Sequence, residues 1–127
     1  MGYIAHHAAI ITGDGGHGDE PSEWIGALTR LREEIAHEGN PALSERFDRL
    51  LVGPVHSVTN GDVSFAFLPD GSKEGWPTSD TGDRIRALLV EFARSHLLQY
   101  VVVRFGGDDY DLADVEAHDG DDYEESR

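Results

Sequence analysis

The chain has 127 residues, with 25 Asp and Glu against ten Lys and Arg, a formal net charge of −15 and no cysteine. That length supports one domain with a real core, and the charge repels nucleic-acid backbones and anionic membranes while favouring basic partners or plain solubility. Without thiols there are no disulfides, thiolate zinc sites or cysteine nucleophiles, and no apolar run reaches the roughly 18–20 residues that a membrane-crossing helix needs.

The N-terminal MGYIAHHAAIITGDGG has neither the basic start nor the long apolar stretch of a secretory leader, so the expected location is the cytoplasm. Tyr3 to Thr12, YIAHHAAIIT, is apolar at both parities and ends in β-branched residues, as a central strand does. After the loop GDGGHG, Trp24, Leu28, Leu31 and Ile35 form one stripe of a helix over 21–38, opened by Asp19 or Ser22 and stopped at Gly39. Asn40-Pro41 starts a second, short helix with Leu43, Phe47, Leu50 and Leu51 on one face. In VHSVTNGDVSFAFL, Asn60-Gly61 between two alternating runs predicts a two-residue hairpin, because both central residues of a type I′ turn need positive φ. That register sets Val58 opposite Val63 and His56 opposite Phe65. Ile85, Leu88, Leu89, Phe92 and His96 stripe a last helix from about Thr81 to Leu98, capped by Ser79 or Asp80, and QYVVVRF closes the pattern as a strand.

The order βαββαβ, with an extra short helix after the first, predicts a ferredoxin-like α+β fold: four antiparallel strands with both long helices on one face. It occupies residues 1–106. Residues 107–127 carry ten acids against Arg127 alone and predict an acidic, flexible tail that adds little to stability.

Several chemistries are weak on these residues. Gly13 to Gly18 formally matches G-x-G-x-x-G, but Asp14, Asp19 and Glu20 crowd it and no cation lies nearby, so it reads as a flexible loop and not a phosphate cradle. His6 and His7 are adjacent on a strand and point to opposite faces, so they cannot chelate one ion together. The tail does not fit a calcium loop, and no Gly-x-Ser-x-Gly elbow is present. No metal, no cofactor and no catalytic residue is expected. The loop DGSKEGWPTSDTGD places Trp76 in polar company between a strand and a helix. Capping explains its second half but not Lys73, Glu74 and Trp76: either Trp76 folds back over the core edge with Lys73 and Glu74 solvated, or the three face a partner, since Trp is a frequent interface anchor.

The opening YIAHHAAIIT together with SVTNGDVSFAFLPDGSKEGWPTSDTGDRIRALLVEF resembles a group of small, acidic, uncharacterised proteins of actinobacteriophages and actinomycetes, over about half the chain. The resemblance implies a phage or mobile-element origin, hence a host cytoplasm, and implies no activity. The leading expectation is a non-enzymatic interaction module. It would bind a basic host or phage protein through Lys73, Glu74, Trp76, Asp80 and Asp83 and through Asp108, Asp109 and Asp111, with mimicry of DNA as a variant and no direct contact with nucleic acid or membrane. The alternative is a small homodimeric ferredoxin-like enzyme or ligand-binding protein, with a pocket lined by His6, His7, His56 and Trp76.

Overall fold

In the computed structural model, residues 6–17, 19–72, 76–106 and 113–120 are described. The elements run β1 (His6–Asp14), β2 (Gly16–His17), β3 (Glu20–Pro21), α1 (Glu23–His37), α2 (Pro41–Leu50), β4 (Leu51–His56), β5 (Asp62–Phe67), α3 (Pro77–Ser95), β6 (Gln99–Phe105) and β7 (Asp114–His118). β1 pairs antiparallel with both β5 and β6, and the five-stranded sheet reads β4-β5-β1-β6-β7, with every neighbouring pair antiparallel. The fold is thus α+β, three helices on an antiparallel sheet. The sheet differs from the expected four strands by the edge strand β7.

Alternation along the strands sorts the side chains. Ala9 and Ile11 of β1, Val63, Phe65 and Phe67 of β5, and Tyr100 and Val102 of β6 are all buried. They meet Trp24, Leu28 and Ile35 of α1, Leu43 and Phe47 of α2, and Ile85, Leu89 and Phe92 of α3 in a single cluster. All three helices therefore cover one side. The residues of opposite parity, among them Ile10, Ser64, Ala66, Val101 and Val103, face the other.

The helix ends follow local chemistry. Asn40 caps α2, its side chain accepting from the Leu43 amide at 3.2 Å, and Pro41 opens the helix with φ already set. Leu51, grouped with α2 by its apolar periodicity, instead ends that helix and begins β4, where it is buried opposite Phe67. α3 begins at Pro77, four residues before the expected Thr81, and Trp76 takes the cap position. The Trp76 carbonyl accepts from the Ser79 amide at 2.9 Å, so Ser79 and Asp80 lie in the first turn and do not cap it. At the far end His96 closes α3 with its ring 4.6 Å from that of Phe92.

Two expected loops differ. Asn60 and Gly61 both have positive φ, at 65° and 68°, as the turn chemistry requires. The register is nonetheless shifted by two: His56 faces Val63, and Ser57 donates from its amide to the Asp62 carbonyl at 2.8 Å, so the connection is four residues long. Val58, expected opposite Val63, lies in that connection fully exposed. The glycine-rich loop is a small structured hairpin, β2 on β3, in place of a loose loop. Its Gly15 amide donates to the Gly61 carbonyl at 2.8 Å, and a Cβ on Gly16 would strike the Glu20 carbonyl.

Part of the expected flexible tail is a strand. β7 pairs with β6 from Val101↔His118 to Arg104↔Asp114, Ala117 packs against the core, and the Tyr100 amide donates to Asp119 Oδ1 at 3.3 Å. Ladder hydrogen bonds come from the backbone, so a stretch poor in apolar side chains can still pair. The pairing gives the tail a way to add stability, contrary to what its composition suggests. Deleting residues 107–127 should lower the melting temperature by about 5 °C or more, because the deletion strips the β6 edge; an unchanged melt would show that β7 contributes nothing.

A second test concerns Gly53, which has φ of 104° and whose Cβ would come within 2.8 Å of the Ser64 carbonyl oxygen and 3.1 Å of Phe65 Cα. Both atoms belong to the paired strand and cannot retreat. Gly53→Ala should cost about 2–3 kcal/mol, against about 1 kcal/mol for Gly39→Ala, whose positive-φ site is open. Urea unfolding of the two variants measures the difference.

Candidate interaction surfaces

The entrance to α3 is braced by arginines. Asp70, after β5, accepts from the Ser72 amide at 2.9 Å and from Arg46 of α2 at 3.3 Å, and Arg46 also donates to the Thr78 carbonyl in the first turn of α3. One guanidinium thus ties the turn after β5, the middle of α2 and the start of α3. Asp83, one turn further along, pairs with Arg86, whose side chain is buried. Gly82 leaves room for this arrangement, since a Cβ there would lie 2.6 Å from Asp70 Oδ2. Removing one partner of a shielded pair is costly, because it leaves the other charge buried and uncompensated.

Trp76 sits on this braced turn and is 48 % exposed, whereas Trp24 is 5 % exposed and donates from its indole to the Asp14 carbonyl at 2.7 Å. The two tryptophans have separate jobs. Trp24 fastens α1 to the end of β1, and Trp76 presents an apolar surface beside the acidic first turn of α3, where Asp80 lies exposed. Of the other expected binding residues, Asp83 is engaged by Arg86; Lys73, Glu74, Asp108, Asp109 and Asp111 lie outside the described residues.

The four residues of the alternative pocket are not brought together. His6 and His7 do point to opposite sides: the His6 ring lies 5.4 Å from Phe105, and His7 Nδ1 lies 2.6 Å from Glu116 Oε1 of β7. His56 aligns through Val63 with Gly13, seven residues along β1 from His6, or roughly 23 Å at strand rise. Trp76 belongs to the helix side. Among the described residues a surface groove of about 480 Å³ lies between α2 and Asp70, lined by Ala42, Glu45, Arg46, Arg49, Leu50 and Asp70. Among the described residues no group of His, Asp or Glu is arranged to hold a metal ion.

Charge is unevenly distributed. The helices carry most of the arginines, and five of these are in ion pairs: Arg32 with Asp48, Arg46 with Asp70, Arg49 with Glu45, Arg84 with Glu38 and Arg86 with Asp83. At the sheet end where β1 meets β5, Asp14, Asp19, Glu20 and Asp62 are exposed, with no Lys or Arg in the adjoining loops. Asp14 and Asp62 even oppose each other across the strands, an unfavourable juxtaposition for stability.

Of the residues singled out from sequence, His6 lies on the remaining side of the sheet, and the apolar rows there were not named. One row across it reads Val52, Ala66, Ile10, Val101 and His118, and the next reads Ala8, Val103 and Val115. Ile10, on the central strand, is 46 % exposed. The signal was in the sequence, since YIAHHAAIIT and QYVVVRF are apolar at both parities while helices arrive on one side only. Comparison with protein-family models, curated proteins and solved structures gives no match for this chain.

The bracing predicts a spectroscopic result. Arg46→Ala should free the turn before α3 and raise the acrylamide quenching of the exposed tryptophan population, leaving the buried Trp24 population unchanged. Identical quenching curves would show that Arg46 does not hold Trp76 in place.

Proposed function

We propose that this protein is a non-enzymatic interaction module that binds a protein partner with a basic surface. The observation that supports it is the segregation of charge. Five of the helix arginines are engaged in ion pairs, while carboxylates gather with no Lys or Arg beside them at Asp14, Asp19, Glu20 and Asp62, and ten of the last 22 residues are acids. Fields of one sign attract an oppositely charged partner over roughly a Debye length, about 8 Å at physiological salt, and raise association rates. Trp76 supplies what charge does not: an apolar anchor, next to the turn that Arg46 ties to Asp70 and Thr78, that can be desolvated on contact.

We also read the fold as ferredoxin-like with one added edge strand. The reading is supported by the strand order, in which β4, β5, β1 and β6 follow the sequence βαββαβ with helices on one side. The resemblance to proteins of actinobacteriophages makes a host-cytoplasmic partner part of the same proposal.

Capture from a bacterial lysate, followed by kinetics on the isolated partner, tests this reading. A variant with Asp19→Asn, Glu20→Gln, Asp62→Asn and neutralised acids beyond residue 120 keeps β7 and should slow association at low salt, with little difference at high salt. Trp76→Ala should speed dissociation at every salt, by on the order of 2 kcal/mol if it is an anchor. A partner indifferent to both changes would remove these surfaces from the account.

A further inference from the structure

We propose that the open side of the sheet is the interface of a homodimer, a second copy of this chain packing face to face on it. The proposal concerns a different surface from the one assigned to the basic partner, so either reading can fail alone. The starting observation is chemical. On a chain of net charge −15, the described open-face residues of β4, β5, β1, β6 and β7 between the rims carry no Asp, Glu, Lys or Arg. Exposed apolar surface of that continuity on a soluble domain marks a contact site.

Charge selects the occupant. A basic partner would find nothing on this face to pair with and would have to bury its cations uncompensated. An identical copy brings mainly apolar and small polar side chains, with His6, Gln99 and His118 toward the margins, while the acids of both copies stay at the rim and on the helix side. The face is also balanced about its centre, as a two-fold contact requires. β1 is the middle strand of five, Ile10 projects from it, and exposed valines flank it on both edge strands: Val52 and Val55 on β4, Val115 on β7.

Shape agrees. Ile10, Val52 and Val101 stand beside the smaller Ala8, Ser64 and Ala66, so one face offers both knobs and hollows for a second sheet packing about 10 Å away. Five strands about 4.8 Å apart and six residues long span on the order of 500 Å² per copy, or about 1,000 Å² in all, the lower bound for a specific interface. Pairing of copies by their edges is discouraged. β4 carries Pro54 and an irregular register between Val52 and Val55, and β7 is short, irregular and bears Asp114 and Glu116.

Sedimentation velocity of the intact, purified chain from 1 to 200 µM decides the matter. The wild type should populate a species of twice the 13.9 kDa monomer mass. Ile10→Lys and, independently, Val52→Lys should raise the dimer dissociation constant on the order of a hundredfold by placing a charge in the interface, with far-UV circular dichroism unchanged. Val58→Lys, more exposed and off this face, should dimerise as the wild type does. Should Ile10→Lys fail to fold, Val52→Lys on the edge strand carries the test. A wild type that stays monomeric throughout, or a dimer that survives the folded lysine variants, overturns the proposal. Loss of partner capture by Trp76→Ala with dimerisation intact would leave it standing.

Discussion

The structure depends on the double pairing of β1. Because β1 is bonded on both edges, to β5 from Ala9↔Phe67 to Asp14↔Asp62 and to β6 from His6↔Phe105 to Thr12↔Gln99, its alternation is locked and cannot slip by one residue without turning both neighbours over. Everything else inherits that parity. Ala9 and Ile11 go to the helices; Ala8 and Ile10 go to the open side. The aromatic packing on the helix side, Trp24 against Phe65 and Phe65 against Phe92, rests on the same choice, with ring centroids 5.9 Å and 6.1 Å apart.

A sheet covered on one side by helices meets a conflict when its strands are apolar at both parities. One solution is a polar outer face, as in many antiparallel sheets. This chain carries its charge on its helices, in loops and in the last 22 residues, and has left valine, isoleucine and alanine on the open side of the sheet.

The sequence carried the elements whose causes are local. Asn40-Pro41 starts a helix for reasons contained in two residues, and the stripes of α1 and α3 follow from spacing alone. What escaped was non-local. Asn60 and Gly61 adopt the expected positive φ, but the opposition of the strands is set by the irregular pairing at Val52 and Val55 and by the Ser57 hydroxyl, which accepts from the Asp62 amide at 3.1 Å. β7 was hidden because its acids suggest disorder, while its stability comes from a free β6 edge supplied by a strand earlier in the chain. Of the candidate sites, the polar surroundings of Trp76 singled it out but left open whether it packs on the core edge or faces out; it is half exposed. The link from Arg46 to the start of α3 was not legible, since Arg46 and Thr78 are far apart in sequence and meet only when α2 packs on α3.

The parity of β1 is the central claim, and unfolding free energies at neighbouring positions test it most directly. In dilute, monomeric protein, Ile11→Ala should cost about 3 kcal/mol or more, because Ile11 is 1 % exposed and its removal opens a cavity against the helices. Ile10→Ala, next to it and 46 % exposed, should cost less than about 1 kcal/mol. Equal losses at the two positions, or a larger loss at Ile10, would contradict the account.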